Sequence, residues 1–243
     1  ILSTWICALI CKFRKKKTLF WTHGFYGNEN LFKHSIRVLF YSIANSFLVY
    51  EQRGKELMVK SGFDPNRIFV VYNSLNYDSQ KEHFEKLLKQ KKQTKIYSLI
   101  FIGRLTKTKK IDQLLKALRK ISNQTKYELN IVGDGSEKAY LVNLKKELGL
   151  SNINFLGPIY DEQILSELIF NSNVCVSPGN IGLTAMHSLS YGTPVITHND
   201  FKNQMPEAEA INENINGLFF KKDNIEDLAE KILKSSEIKF DKH

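Results

Sequence analysis

The chain has 243 residues, 42% of them hydrophobic, which is ample for a packed core and excludes a disordered polymer. Its formal net charge of +10 calls for an anionic partner without naming it. No apolar run reaches the ~18 residues of a membrane span. The three cysteines (Cys7, Cys11 and Cys175) have no CxxC spacing and read as reduced residues of a cytoplasmic protein.

In chain order, the opening "ILSTWICALI" runs directly into "CKFRKKK". A signal peptide has its basic residues before the apolar run, so this segment is predicted to be an amphipathic helix with Trp5, Leu9 and Phe13 on one face. The chain begins with Ile rather than Met, which gives the expectation of a piece of a longer protein. Strand-like apolar runs follow at 18–21, 47–50, 68–71, 97–102, 127–132, 153–156, 174–177 and 194–197. Helix-length segments with apolar residues at three-to-four spacing lie between them, at 111–121, 137–148 and 162–170 among others. Strands alternating with helices predict an α/β fold with doubly wound parallel sheets.

A composition break at "NSLNYDSQ", 73–80, places a domain boundary near 77, giving domains 1–77 and 78–243. The first would hold only about three strands, fewer than a doubly wound sheet needs, and is expected to be the C-terminal part of its domain. Much of the positive charge lies in clusters at 12–17, 86–95 and 107–110. Single-stranded nucleic acid would call for aromatic residues interleaved with these cations, and the clusters mostly lack them.

In an open parallel sheet, ligands sit outside the carboxyl ends of the strands. Three such ends are chemically loaded. In "FIGRLTKTKKID", 101–112, Gly103 permits a tight turn, and Arg104 and Lys109 project from the loop before a helix. A guanidinium fork and an ammonium there suit a diphosphate. In "IVGDG", 131–135, two glycines turn the chain sharply. In "SPGNIGLTAMHSLSYGTPVIT", 177–197, a Gly-rich turn leads into a predicted helix at 183–191, whose open amides can hold an anion without a charged side chain.

These motifs, with "INFLGPIYDEQILSELI", "YGTPVI" and "NGLFF" in that order and spacing, resemble the C-terminal half of the family 4 retaining glycosyltransferases of the GT-B fold. The resemblance covers roughly 97–235; "LVYEQRGKELMVKSGFDPNRIFVVYNS", 48–74, looks like the end of that family's first domain. It implies two Rossmann-like domains, the first incomplete here. Arg104 and Lys109 match the cations that hold the donor diphosphate and assist departure of the leaving group, and Gly103 the close-approach glycine. Ile159 falls where the backbone contacts the nucleobase, and residues Ile181, Gly182, Leu183 and Thr184 match the amides facing the diphosphate and sugar. His23, in "FWTHGF", matches a histidine near the reaction centre.

The family also has two glutamates flanking this loop, one for the donor sugar and one for the ribose. Gly179 and His187 stand at those positions, with Asn180 beside the first. A divergent site is expected, in which His187 bonds a ribose hydroxyl, Asn180 stands in for a carboxylate, and Glu207 or Glu209 supplies the missing charge. No DxD triplet and no metal-ligand His spacing occurs, so neither metal nor other cofactor is expected.

The function implied is retaining transfer of a sugar from a nucleotide-sugar donor to a polysaccharide, glycolipid or lipid-linked acceptor. It would operate in cell-surface glycan assembly, in the cytoplasm or peripherally on an anionic membrane face, with no nucleic-acid partner. The alternatives are a non-catalytic nucleotide-sugar-binding subunit and a GT-B-fold sugar-nucleotide epimerase.

Overall fold

The structure, a computed structural model, describes residues 2–89, 96–238 and 240. Of the charge cluster at 86–95, residues 90–95 lie outside the described residues. The chain divides into two compact units, Ile1–Asn73 and Ser74–His243.

The first unit begins with α1 (Leu2–Phe13) and continues through β1 (Leu19–Thr22), α2 (Leu31–Tyr41), β2 (Ser46–Val49), α3 (Gln52–Lys60) and β3 (Ile68–Val70). Its three strands are parallel, in the order β1-β2-β3. β2 is central and buries Phe47 and Val49 completely, against Phe25, Tyr41, Met58 and Ile68. Asn30 opens α2 as its cap, accepting the Lys33 N–H at 2.9 Å. The helix predicted at the start exists, but only part of the predicted face packs. Trp5 meets Phe40 with ring centroids 4.7 Å apart and Ala8 is buried, whereas Leu9 and Phe13 stay exposed.

The second unit opens with α4 (Tyr77–Leu88) and β4 (Tyr97–Ile102), then α5 (Ile111–Ile121), β5 (Tyr127–Val132), α6 (Lys138–Glu147) and β6 (Ile153–Gly157). It continues with α7 (Glu162–Asn171), β7 (Val174–Ser177), α8 (Thr184–Ser190), β8 (Val195–His198), β9 (Gly217–Phe220) and α9 (Ile225–Glu237). α4 belongs here because Phe84 packs edge-on against Phe170 and Tyr191, and Leu87 joins the same core.

All six strands are parallel, in the order β6-β5-β4-β7-β8-β9. Alternating side chains serve opposite faces. Leu99 and Phe101 of β4 pack with α5, α6 and α9, while Ile100 between them packs with α4, α7 and α8. Chain order reverses between β4 and β7, which opens a crevice outside their carboxyl ends. The predicted strands recur within a residue or two, and β9 is an additional one.

β8 ends on His198, which is buried, packs edge-on to Phe220 and accepts the Asp200 N–H at Nδ1, 3.2 Å away. Burial, then the nearby Lys222 ammonium, push its imidazole down to about 4. Asp200 and Asp223 oppose that shift, and Lys110 adds to it. The unfolded chain takes up this proton near the ordinary histidine value, so between there and about pH 4 it binds more protons than the folded chain. Stability is therefore full above about pH 6.5 and falls as pH drops toward 4, by up to about 3 kcal/mol. Urea unfolding at pH 7 and 4.5 should show the loss, and His198→Gln should remove this part of it. An unchanged slope in that variant would assign the acid sensitivity to other groups.

Candidate functional site

The crevice is built by short loops whose glycines let backbones touch. Leu105 donates its N–H to Asp134 O at 2.8 Å, and Gly133 donates to Gly157 O at 2.8 Å, tying the ends of β4, β5 and β6 together. A Cβ at Gly133, where φ is +141°, would stand 2.9 Å from Gly103 C, so no side chain fits. "IVGDG" thus serves the close approach of two loops. Between them lies a cleft of about 390 Å³ lined by Gly103, Arg104, Asp134, Pro158, Ile159 and Tyr160, among others. Ile159 is half-buried in its wall, and Tyr160 is exposed.

Arg104 is exposed at the cleft and makes no hydrogen bond or ion pair among the described residues. Lys109 differs. It ends a turn over Lys107–Lys109 and sends its ammonium across to the loop after β7, donating to Asn180 O at 2.6 Å and Asn180 Oδ1 at 3.0 Å. Burial and then the adjacent Arg104 charge hold this ammonium below the ordinary lysine value, and Glu207 opposes them. The Asn180 side chain is therefore engaged by Lys109.

The loop at 179–183 is held from three sides. Gly179 donates its N–H to Lys109 O at 3.0 Å. Ile181 is fully buried, and its N–H is committed to Gln204 Oε1 at 2.8 Å. Ile181 thus departs from its expected role, because its amide is already taken within the fold. Gly182, Leu183 and Thr184 have no hydrogen bond on their amides among the described residues, and these are the open ones. The helix here is shorter than predicted, Thr184–Ser190, with Leu183 and Tyr191 as its caps. Thr184 Oγ1 fastens its start to the end of β4 by donating to Ile102 O at 3.2 Å.

Both expected carboxylate positions differ from the sequence reading. At Gly179 a Cβ would stand 2.6 Å from Lys109 Cα, so the backbone of the Lys109 turn occupies the space a side chain would need. The glycine is a packing requirement. His187 does project from α8, but its Nε2 is paired with Glu162 Oε1 at 2.9 Å, and Tyr191 donates its hydroxyl to the same oxygen at 2.5 Å. Burial, then Glu162, raise the Tyr191 hydroxyl above the ordinary tyrosine value. Glu162 is the residue that sequence reasoning missed. The signal was the acidic residue pair Asp161 and Glu162 directly after Ile159 and Tyr160, in which Asp161 caps α7 and leaves Glu162 free for another task.

Glu207 is buried in a turn over Pro206–Ala210, and its Oε2 lies 4.0 Å from where a Gly182 Cβ would be. It thus sits beside the open amides, and its field reaches Lys109. Glu209, the other expected acid, lies in the same turn and is half-buried. In the first unit, His23 follows the carboxyl end of β1 between Tyr26 and Tyr50, with ring centroids 5.9 and 4.7 Å away. Its buried Nδ1 has no hydrogen-bond partner among the described residues. Glu29 holds the loop after it, accepting the Tyr26 and Gly27 N–H groups at 2.8 Å each and pairing with Arg37. Among the described residues no group of three His, Cys, Asp or Glu could hold a metal ion, and no helix is long and apolar enough to cross a membrane.

A parallel sheet with its crevice at the chain reversal, two cations on the first loop and a Gly-rich loop opposite fit an α/β fold of the GT-B type. The glycosyl transferases group 1 profile matches residues 78–242, and the chain belongs to that family. It is 31% identical over 162 residues to the uncharacterized 41.2 kDa protein in the cps region of Klebsiella pneumoniae, covering 65% of this chain and 42% of that one. The chain spans less than half the length of the curated relatives it matches. Among solved structures, the lipopolysaccharide outer core galactosyltransferase WaaB in apo form superposes with a TM-score of 0.78 at 19% identity, over 99% of this chain and 66% of that one. Anabaena HepE in complex with UDP superposes with a TM-score of 0.74 at 18% identity, over 96% of this chain and 66% of that one.

Proposed function

We propose that the protein is a glycosyltransferase that binds a nucleotide sugar in the crevice of the second unit. It would transfer the sugar, with retention, to a polysaccharide, glycolipid or lipid-linked acceptor. The observation that carries this reading is the half-buried Lys109 ammonium, close enough to Arg104 to feel its charge and bonded to Asn180 of the loop that continues into the open amides of Gly182, Leu183 and Thr184. Such a group of donors suits a diphosphate, and more so as the bond to the sugar breaks and charge grows on the leaving oxygen. The cleft bounded by Ile159 and Tyr160 is the place for the base, and Glu207 beside Gly182 the acceptor for sugar hydroxyls. UDP in the similar HepE supports the donor class, and the cps-region relative fits polysaccharide biosynthesis on the cytoplasmic side of the membrane.

Titration calorimetry with UDP, GDP and dTDP tests the reading. One of them should bind and be displaced by the corresponding nucleotide sugar, whereas an unrelated oligonucleotide should not compete. Failure of all three to bind would overturn it. The cations take the place of a metal here, so binding and turnover should survive excess EDTA. Loss of both, restored by Mn²⁺ or Mg²⁺, would make the reaction metal-dependent.

A further inference from the structure

We infer that Glu162 is the residue that reads the ribose hydroxyls of the nucleotide, an assignment that rests on the donor reading above. Its placement comes first. Glu162 opens α7 two residues after Tyr160, which lines the cleft, and α7 itself is fixed by Asp161, whose Oδ1 accepts the Ile164 N–H at 3.1 Å. His187 lies one turn into α8, the helix whose first residue is bonded to Ile102 O, another cleft residue. The Glu162–His187 pair thus spans from the wall of the base cleft to the helix that follows the open amides. A nucleoside diphosphate lying between those two features has its ribose at that junction.

The chemistry of the carboxylate comes second. Oε1 receives both internal donors, His187 Nε2 and Tyr191 OH, which prevents the side chain from swinging. Oε2 accepts no hydrogen bond among the described residues, and the side chain keeps 33% of its surface exposed. One oxygen is pinned and the other is open. A vicinal diol offers two O–H donors and needs such an acceptor; a phosphate would be repelled by it. The role is specificity for ribose, and His187 and Tyr191 are positioning residues acting through Glu162.

The test uses the ribonucleoside diphosphate that binds the unaltered chain, its 2′,3′-dideoxy analogue, and inorganic pyrophosphate as a ribose-free probe. The unaltered chain should prefer the ribo form on the order of tenfold, the worth of hydrogen bonds to a charged acceptor. Glu162→Ala should lower ribo binding to the dideoxy level and leave the dideoxy and pyrophosphate affinities unchanged. Glu162→Gln, which keeps an oxygen for His187 and Tyr191, should show an intermediate preference and guards against loss of fold in the alanine variant. Tyr191→Phe should reduce the preference partially. Equal weakening of all three probes by Glu162→Ala and Glu162→Gln, or indifference of the unaltered chain to the ribose hydroxyls, would overturn the assignment and leave the donor reading standing. Failure of every ribonucleoside diphosphate to bind the unaltered chain would instead overturn the donor reading, and the assignment with it.

Discussion

Lys109→Ala should cost about 2–4 kcal/mol of transition-state stabilisation, and Arg104→Ala somewhat less. Both remove a positive charge from the site where, on the proposed donor reading, charge would grow on the departing diphosphate. Only the lysine also holds the opposite loop, through its two hydrogen bonds to Asn180. Lys109→Ala should therefore weaken nucleoside diphosphate binding and loosen the 179–183 loop, which amide hydrogen exchange of that loop would report. Arg104→Ala should weaken binding and turnover with exchange unchanged, because the guanidinium makes no hydrogen bond or ion pair among the described residues. Near-parental turnover in both variants would remove these cations from the mechanism. Equal exchange in both would show that the Asn180 contacts do not hold the loop.

Gly179→Glu, the substitution that would bring back the family's usual residue, should destabilise the second unit by about 3 kcal/mol instead of improving the site. A Cβ there stands 2.6 Å from Lys109 Cα, and both partners are backbone, which cannot rotate away. Overpacking of this kind costs roughly 1–3 kcal/mol or more when the main chain must shift. For a domain of this size each kcal/mol lowers the melting temperature by roughly 2–4 °C. Gly179→Ala should lose nearly as much, since the first side-chain carbon makes the clash. Thermal melts of both variants decide the matter; a melting temperature within a degree of the parent would mean that the loop yields freely.

The sheet of the second unit was legible because parallel strands buried on both faces leave continuous apolar runs, and β4 and β5 begin and end where their runs do. β9 was harder. Its four residues begin on a glycine, and the pairing with β8 that makes them a strand is a long-range contact. α4 escaped the reading because its lysines and polar residues look like a linker, with Phe84 and Leu87 as its apolar attachment to the core. In the site, the cations and the Gly-rich loop could be read from local order. What could not be read was which donors are already satisfied, since that depends on partners far away in sequence. Ile181 looks open until Gln204 is seen to take its amide, and His187 looks like a ligand group until Glu162 is placed against it. The lack of a carboxylate at Gly179 had the plainest cause, the crossing of Lys109 overhead.

The grip of Lys109 on Asn180 has a consequence for selectivity. The resting ammonium already has two oxygen partners, one a backbone carbonyl and one an amide oxygen, so an arriving anion must displace or share neutral acceptors. Only the difference between old and new bonds contributes to affinity. A singly charged or poorly placed ion gains little from that exchange. The diphosphate of the proposed donor would gain more, because Arg104 and the open amides would be partners for it as well. The internal clasp thus sets a threshold: abundant small anions leave the crevice in its self-bonded form, and the loops are released to a guest only when it can replace several contacts together.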